Sequence, residues 1–278
     1  MVCNYYCRKL FQREVKKIKQ DKFKDKINFA RTYRKLSSDK ISELFTFFIC
    51  IIPFFLGILF FYPEITFMIS KVAAAALKSY YDYPVIIVNK AEYIKAIGPI
   101  YFISLPGSIP SMEFSIINLL GSIIGLLILP HINRMKPLVI FSIVTLLTHL
   151  TSSVFFTFNP QYFPYDLVDY SNLYMKQQIG IYLFTIIIIG MAISLLPGKK
   201  LTKFFTISLV FGYSLIFGTV RYIFFIYILS KISLIYMASL FFTFGPFVDF
   251  LYVVCIYSLF LNRTSKKVTA DMEGWQWS

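Results

Sequence analysis

The hydrophobic positions of this chain form six continuous apolar runs, which differ from the alternating pattern of a strand and the one-sided pattern of a surface helix. Most of these runs are near the ~20 residues needed to cross a hydrocarbon core. Lipid offers no partner for backbone N–H and C=O groups, so such runs must satisfy them internally, as helices. The sequence therefore predicts an all-α, polytopic transmembrane bundle with spans at Leu44–Phe61, Met112–Leu129, Leu138–Phe158, Gln178–Leu196, Phe204–Ile228 and Thr243–Leu261.

The basic residues collect at every second gap between these spans. Thirteen Lys or Arg residues precede Glu43, and others lie in His131–Pro137, in Gly198–Lys203 and in the tail from Arg263 onward. In a six-span arrangement all four segments fall on one side of the membrane. Short cytoplasmic loops accumulate Lys and Arg, so both termini are predicted to be cytoplasmic in a multi-pass protein of the inner membrane.

These patterns divide the chain into three parts: a basic, amphipathic cytoplasmic arm (1–42), the membrane bundle (43–262) and a cytoplasmic tail (263–278). The bundle includes an outer segment, 62–111, which we expect to cap it from outside. Pro63 is predicted to mark the outer end of the first span. Within the outer segment, Ala73–Leu77 is predicted to form a short interfacial helix and Pro84–Val88 an extended run.

Charge and composition favour a membrane over a nucleic acid as the partner of the arm. The chain is 57% hydrophobic and carries a formal charge of +14, with thirteen of its 28 basic residues before the first span. Phe11, Val15 and Ile18 recur among those lysines at helical spacing, as in an interfacial helix. We therefore expect the arm to bind anionic lipids. Its length, over forty residues, also favours an uncleaved anchor over a signal peptide.

The chain shows no motif for cofactor or metal chemistry. Cys3 and Cys7 lie in the arm, and Cys50 and Cys255 lie inside predicted spans, so none belongs to an extracellular disulfide framework. His131 and His149 are the only histidines and fall in different parts of the chain. The sequence has no Gly-rich phosphate loop and no cluster of metal ligands, so no cofactor and no metal are predicted.

Ionisable residues in or beside the spans are the best functional signal, because each costs a few kcal/mol unless paired or hydrated. Four stand out: Glu113, Arg221, Lys231 and Asp249. At 1.5 Å per residue, Arg221 lies about 26 Å and Asp249 about 18 Å from the cytoplasmic surface, a gap that a long Arg side chain can cover. We predict an Arg221–Asp249 pair in the bundle interior, either a lock between helices or a site.

Small residues recur at GxxxG spacing in two of the spans. Gly121 and Gly125 lie in the second span, and Ser214 and Gly218 in the fifth. Such pairs let helix backbones approach closely, so we expect them to pack helices.

The second half of the chain has an ordered set of features. An outer segment ends in Tyr170-Ser171-Asn172, then an inward helix and a basic turn follow, then an outward helix that ends in Val220-Arg221-Tyr222-Ile223, a short outer stretch and a last inward helix. This layout resembles the exosortase and archaeosortase family. Those are polytopic membrane transpeptidases that cut a C-terminal sorting signal and transfer the protein to an envelope component.

The resemblance implies roles for only some of these residues. Arg221 matches the arginine of the family in position and setting. Where the family has a cysteine, Ser171 is the nearest candidate, and Ser239–Phe250 holds no histidine where the family has one. Thiol attack needs a thiolate and a proton-transfer partner, and a serine needs a nearby base. Lys231 is one conceivable base for Ser171.

Three hypotheses follow. The first is an exosortase-like binding or assembly subunit without turnover, which acts on an envelope protein or polymer with a membrane or extracytoplasmic protein partner. The second is a small-solute transporter or channel subunit, which predicts a broken helix and an inverted repeat. The third is an active sorting peptidase that uses a serine. The missing cysteine and histidine favour the first.

Overall fold

The computed structural model describes the parts 34–36, 40–81, 87–132, 136–196, 199–270 and 275–277 of the chain. Most of the arm lies outside the described residues, including Cys3, Cys7 and the apolar positions Phe11, Val15 and Ile18. The basic turns near Arg134 and Gly198 are described only in part, as is the predicted extended run at Pro84–Val88.

Seven α-helices make up most of the described chain, together with two pairs of short strands. The helices are α1 (Lys40–Lys78), α2 (Met112–Ile128), α3 (Lys136–Phe158), α4 (Leu167–Ser194), α5 (Lys200–Tyr227), α6 (Met237–Phe242) and α7 (Pro246–Ala270). The strands are β1 (Arg34–Leu36), β2 (Ile87–Ile94), β3 (Gly98–Ser104) and β4 (Trp275–Trp277). A π-helical turn at Ile228–Ile232 and a 3₁₀ turn at Leu234–Tyr236 connect α5 to α6.

Six helical segments of the described chain are long and apolar enough to cross a membrane, which confirms the predicted number of spans. They are Leu44–Lys78, Met112–His131, Lys136–Phe158, Leu167–Ser194, Lys200–Ile232 and Leu234–Lys266. The predicted bundle of helices is therefore present. Several ends differ from the prediction, and the last segment is interrupted between α6 and α7.

The first helix is much longer than predicted. Pro63 does not end it, because α1 runs through Pro53 and Pro63 to Lys78 over 39 residues. The half of α1 that follows Phe61 buries Tyr62, Thr66, Ile69 and other residues at spacings of three and four, so tertiary packing outweighs the proline break. The interfacial helix predicted at Ala73–Leu77 is part of this same helix.

The rest of the outer segment contains a β-hairpin, which the sequence did not predict. Strands β2 and β3 pair antiparallel, with Val88 opposite Ile103 and Lys90 opposite Tyr101. The hairpin rests on α1, where the Tyr62 hydroxyl donates to Gly98 O, and β3 is buried on both faces at Ile100, Phe102 and Ile103. The segment thus packs on the bundle through a strand that the helices enclose.

Helix α4 is the centre of the bundle. It packs against α1, α5 and β3, and its buried positions run along the whole helix from Leu167 to Ser194. Gly190 lets α1 approach closely, since a Cβ there would lie 2.2 Å from Ile51 Cγ1. Helices α2 and α3 form a pair that contacts α6 and the turn before it, and Phe141 of α3 also stacks on Phe247 of α7.

The residues 40–264 form one compact unit, and the residues before and after them form another. In the second unit, β1 pairs antiparallel with β4, and Lys35 lies opposite Gln276. This small sheet and the hairpin are the two departures from the predicted all-α architecture within the described residues.

Candidate functional site

A buried polar cluster of the bundle is built around Arg221 on α5. Arg221 is preceded at helical spacing by Gly218 and Ser214, so one face of α5 is small and polar where it meets α4. Only 5% of the Arg221 side chain is exposed. A guanidinium in such a place must find acceptors for its five N–H groups.

Arg221 finds five acceptors on three sides. Its hydrogen bonds are Nε to Tyr174 OH at 2.8 Å, Nη1 to Gly245 O at 2.7 Å and Phe244 O at 3.4 Å, and Nη2 to Gln178 Oε1 and Asp249 Oδ2, each at 2.7 Å. Tyr174 and Gln178 stand one turn apart on α4, which is why both reach the same guanidinium. The guanidinium therefore joins α4, α5 and α7 at a single point.

The break in the last span supplies two of these acceptors. Helix α6 ends at Phe242 and α7 begins at Pro246, and the carbonyls of Phe244 and Gly245 lie between them. Both accept hydrogen bonds from Arg221 Nη1. A Cβ at Gly245 would lie 2.5 Å from Phe241 O, so the tight turn needs a glycine here. The arginine therefore ties the break in the last span to α5.

The predicted contact between Arg221 and Asp249 is present as a buried ion pair, with the Asp249 side chain only 4% exposed. Next to it, Tyr252 OH donates to Ser214 Oγ at 2.6 Å and links α7 to α5 a second time. Removal of one partner of a buried pair typically costs ~3–5 kcal/mol, because the other charge stays buried and uncompensated. The pair is therefore a strong coupling between helices once both charges are in place.

Three polar atoms beside this cluster have no hydrogen-bond partner among the described residues: Gln178 Nε2, Tyr182 OH and Asp249 Oδ1. Gln178 and Tyr182 both face Gly218, where a Cβ would lie 2.6 Å from Gln178 Nε2 and 3.0 Å from Tyr182 OH. Gly218 thus fits the predicted packing role of the Ser214 and Gly218 pair, since it lets two polar side chains lie against α5.

Ser171 lies in a second layer, nearer the start of α4. Asp166 and Asp169 form a capping box that fixes this helix end. Ser171 is fully buried, and its Oγ lies 2.5 Å from Tyr222 OH, its only hydrogen-bond partner among the described residues. Tyr222 OH in turn accepts from Ile103 N at 2.9 Å. A tyrosine hydroxyl is a poor general base at neutral pH, so this arrangement leaves the Ser171 hydroxyl unactivated.

The other two predicted site residues stand apart from Arg221. Lys231 is exposed in the π-helical turn, with its Nζ 4.3 Å from the ring centre of Tyr81, and makes no described contact with Ser171. Burial raises the pKa of the Tyr81 phenol. Glu113 is exposed in the first turn of α2. The structure therefore joins Arg221 with Asp249, and leaves Ser171, Lys231 and Glu113 outside that cluster.

A separate polar cluster joins α2 to α3. His149 Nε2 lies 3.2 Å from Asn118 Oδ1, which also accepts from Tyr236 OH at 3.1 Å, and the His149 and Tyr236 rings stack. These groups connect the α2–α3 pair to the turn before α6. Among the described residues, no three His, Cys, Asp or Glu side chains come together in a way that could hold a metal ion.

Several members of the main cluster were missed from the sequence. Tyr174, Gln178 and Tyr182 recur every four residues on α4, and this spacing would have indicated a polar stripe on one face of that span. The two carbonyls of the broken helix carry no such signal, because they depend on where the helix stops.

No protein-family model, no curated protein and no solved structure matches this chain. The class of the molecule consequently follows from its own architecture. Six helices of membrane-spanning length and apolarity, with the charged groups of the core paired inside, are the arrangement of a multi-pass membrane protein.

Proposed function

We propose that this chain is a binding or assembly subunit of the cell envelope, built on an exosortase-like scaffold and without transpeptidase turnover. One observation carries the proposal. The arginine that would stabilise a reacting centre donates to five acceptors of its own chain, while the serine that would attack is hydrogen-bonded to a tyrosine hydroxyl.

Acyl transfer requires a nucleophile, a group that takes its proton, and free donors aimed at the developing oxyanion. Here the donors of Arg221 already bond to Tyr174, Gln178, Asp249 and two carbonyls. A substrate oxyanion would have to displace one of these acceptors and leave it unpaired in the bundle, which opposes catalysis. Bracing of a rigid outer surface is the use that fits such an arginine.

The proposal also places the molecule in the inner membrane with both termini in the cytoplasm. This orientation rests on the Lys and Arg distribution, which also supports contact of the basic arm with anionic lipids. Single cysteines at Asn159, Lys200 and Ser265 in a Cys-free chain test it with an impermeant thiol reagent on intact cells. Only the Asn159 variant should react, and reaction at Lys200 without permeabilisation would overturn the orientation.

Purification from native membranes in mild detergent tests the function itself. The proposal expects a second protein at a fixed ratio, retained when Ser171 is changed to Ala and lost when Arg221 is changed to Leu. Ser171→Ala keeps the volume of the site and removes only the hydroxyl, so it is the matched control for turnover. If this variant abolishes the cellular function while the partner stays bound, Ser171 is an active nucleophile and the non-catalytic role is wrong.

A transporter is the second candidate, and one observation favours it. The last span is discontinuous at Thr243–Gly245, as in transporters whose broken helices line a binding site. The carbonyls at this break accept hydrogen bonds from Arg221, however, so the place of a transported cation is taken by a residue of the chain. A stoichiometric small solute in the purified protein, with no protein partner, would favour transport over assembly.

A further inference from the structure

The hairpin has one closed edge and one open edge. On β3, the N–H groups of Tyr101 and Ile103 point away from β2, because they donate to Thr66 Oγ1 and Tyr222 OH. In an antiparallel pair, two residues opposite each other either both turn their N–H and C=O groups towards each other or both turn them away. Their partners Lys90 and Val88 must then point away from β3 as well.

The backbone groups of Glu92 also point away from β3. Glu92 lies opposite Pro99, which has no N–H to donate, so this too is a position without a ladder hydrogen bond. The free edge of β2 therefore presents the backbone groups of Val88, Lys90 and Glu92. Within the described part of the chain, none of these groups has a hydrogen-bond partner outside the ladder.

The side chains of Val88, Lys90 and Glu92 are exposed at this edge. They share one face of the strand, since side chains alternate along it. The two charges of opposite sign stand two residues apart. A row of unpaired backbone groups with exposed side chains is a template for a further strand, and the charges set which strand fits.

We infer that the free edge of β2 binds an extended segment of the envelope partner as an added antiparallel strand. The segment carries a basic and an acidic residue two positions apart, in the order Lys/Arg-x-Asp/Glu. In the antiparallel register the basic residue lies opposite Glu92 and the acidic one opposite Lys90. The inference rests on the proposed function, and names the kind of partner that the subunit would hold.

Two synthetic peptides test the edge. Both are nine-residue, strand-forming peptides with a fluorescent label; one has the central order Lys-x-Glu and the other Glu-x-Lys. They are titrated by fluorescence anisotropy into the purified full chain in nanodiscs. Two matched against two mismatched cross-strand pairs predict about tenfold tighter binding of the Lys-x-Glu peptide.

The charge exchange Lys90→Glu with Glu92→Lys supplies the decisive control. It keeps both side chains and all backbone groups, so the preference should reverse to the Glu-x-Lys peptide. Equal binding of the two peptides to the native chain, an unchanged preference after the exchange, or no binding of either peptide would each overturn the inference.

A backbone variant separates strand addition from simple charge attraction. Lys90→Pro removes an N–H that points outward and leaves the β2–β3 ladder intact, whereas Lys90→Ala removes only the charge. Both should fold, as judged by their thermal transition in detergent. The proline variant should bind the Lys-x-Glu peptide about fivefold more weakly than the alanine variant, since one hydrogen bond is lost. Equal affinities would mean that no strand is added.

The failure of this inference is distinguishable from that of the proposed function. A partner that co-purifies with the native chain, although neither peptide binds to it, would leave the assembly role standing and remove the β2 edge from it. Peptide binding at the edge without any co-purified partner would support the edge and contradict the assembly role.

Discussion

Helices α4 and α2 show two ways in which an apolar helix can be used in this molecule. In the most apolar 18-residue window of each, 50% of α4 is buried within the protein and only 11% of α2. Helix α4 carries Tyr174, Gln178 and Tyr182 inward, while α2 presents Ile117, Leu120 and Leu127 outward. The more polar helix is thus the more buried one, since lipid can solvate leucine and isoleucine but not an amide or a guanidinium.

This comparison says where stability resides. In the α4, α5 and α7 region, the contacts converge on one charged group, so their loss is expected to be cooperative. In the α2 and α3 pair, the polar contacts are neutral and few, so changes there should be small and local. Substitutions in the two regions test this division.

Arg221→Leu should produce the largest loss, about 3–5 kcal/mol of unfolding free energy, because the Asp249 carboxylate then stays buried without its charge partner. Reversible unfolding in mixed detergent micelles measures it. Glu113→Gln is the control on α2, where the carboxylate is exposed, and it should change stability by less than about 0.5 kcal/mol. Similar losses in both variants would contradict the division between the two regions.

Gly218→Ala should cost about 1–3 kcal/mol, since its new Cβ would lie 2.6 Å from Gln178 Nε2 and push that side chain off Arg221. Gly212→Ala is the matched control on the same helix. Nothing lies within 4 Å of a Cβ at Gly212, so the better helix propensity of alanine should leave stability unchanged or raise it by up to about 1 kcal/mol.

The same test can be made on α2, where Gly121 and Gly125 were both predicted to pack. Gly125 does pack, as its Cβ would lie 2.7 Å from Leu146 Cδ1, but nothing lies within 4 Å of a Cβ at Gly121. The contact at Gly125 is with a methyl group of Leu146, which can move aside, whereas Gln178 at Gly218 is held by its hydrogen bond to Arg221. Gly125→Ala is thus expected to lower the unfolding free energy less than Gly218→Ala does. A larger loss for Gly125→Ala would contradict the division between the two regions.

Apart from the controls Glu113→Gln and Gly212→Ala, His149→Phe should have the smallest effect, a loss of about 0.6 kcal/mol of unfolding free energy, typical of one hydrogen bond between helices in a membrane. Phenylalanine keeps the ring that stacks on Tyr236 and removes the contact to Asn118. The same detergent unfolding experiment applies. A loss as large as that of Arg221→Leu would show that the α2–α3 pair depends on its polar cluster as strongly as the core does.

The number of spans and the Arg221–Asp249 contact could be predicted from the sequence, because both depend on local quantities. Apolar length gives the spans, and rise per residue gives the depth of each charge. The extension of α1 past Pro63 could not be predicted, since it depends on burial of Tyr62 and Thr66 against a distant hairpin.

The remaining partners of Arg221 show the same limit. Tyr174 and Gln178 are recognisable as a polar stripe, but the acceptors at Phe244 and Gly245 are backbone carbonyls that lie at a helix break. Sequence patterns describe side chains, and a carbonyl becomes an acceptor only through the path of the chain. The suggestion of Lys231 as a base for Ser171 rests on sequence order alone. The structure places the Lys231 ammonium over the Tyr81 ring instead.

A double-mutant cycle on Arg221 and Asp249 tests most directly whether this arginine locks the helices together. The unfolding free energies of Arg221→Leu, Asp249→Leu and the double variant are measured in the same micelles as the native chain. The 2.7 Å contact in a buried setting predicts that the double variant recovers part of the summed loss, with a coupling of about 1–3 kcal/mol. Strict additivity of the two single losses would contradict the account.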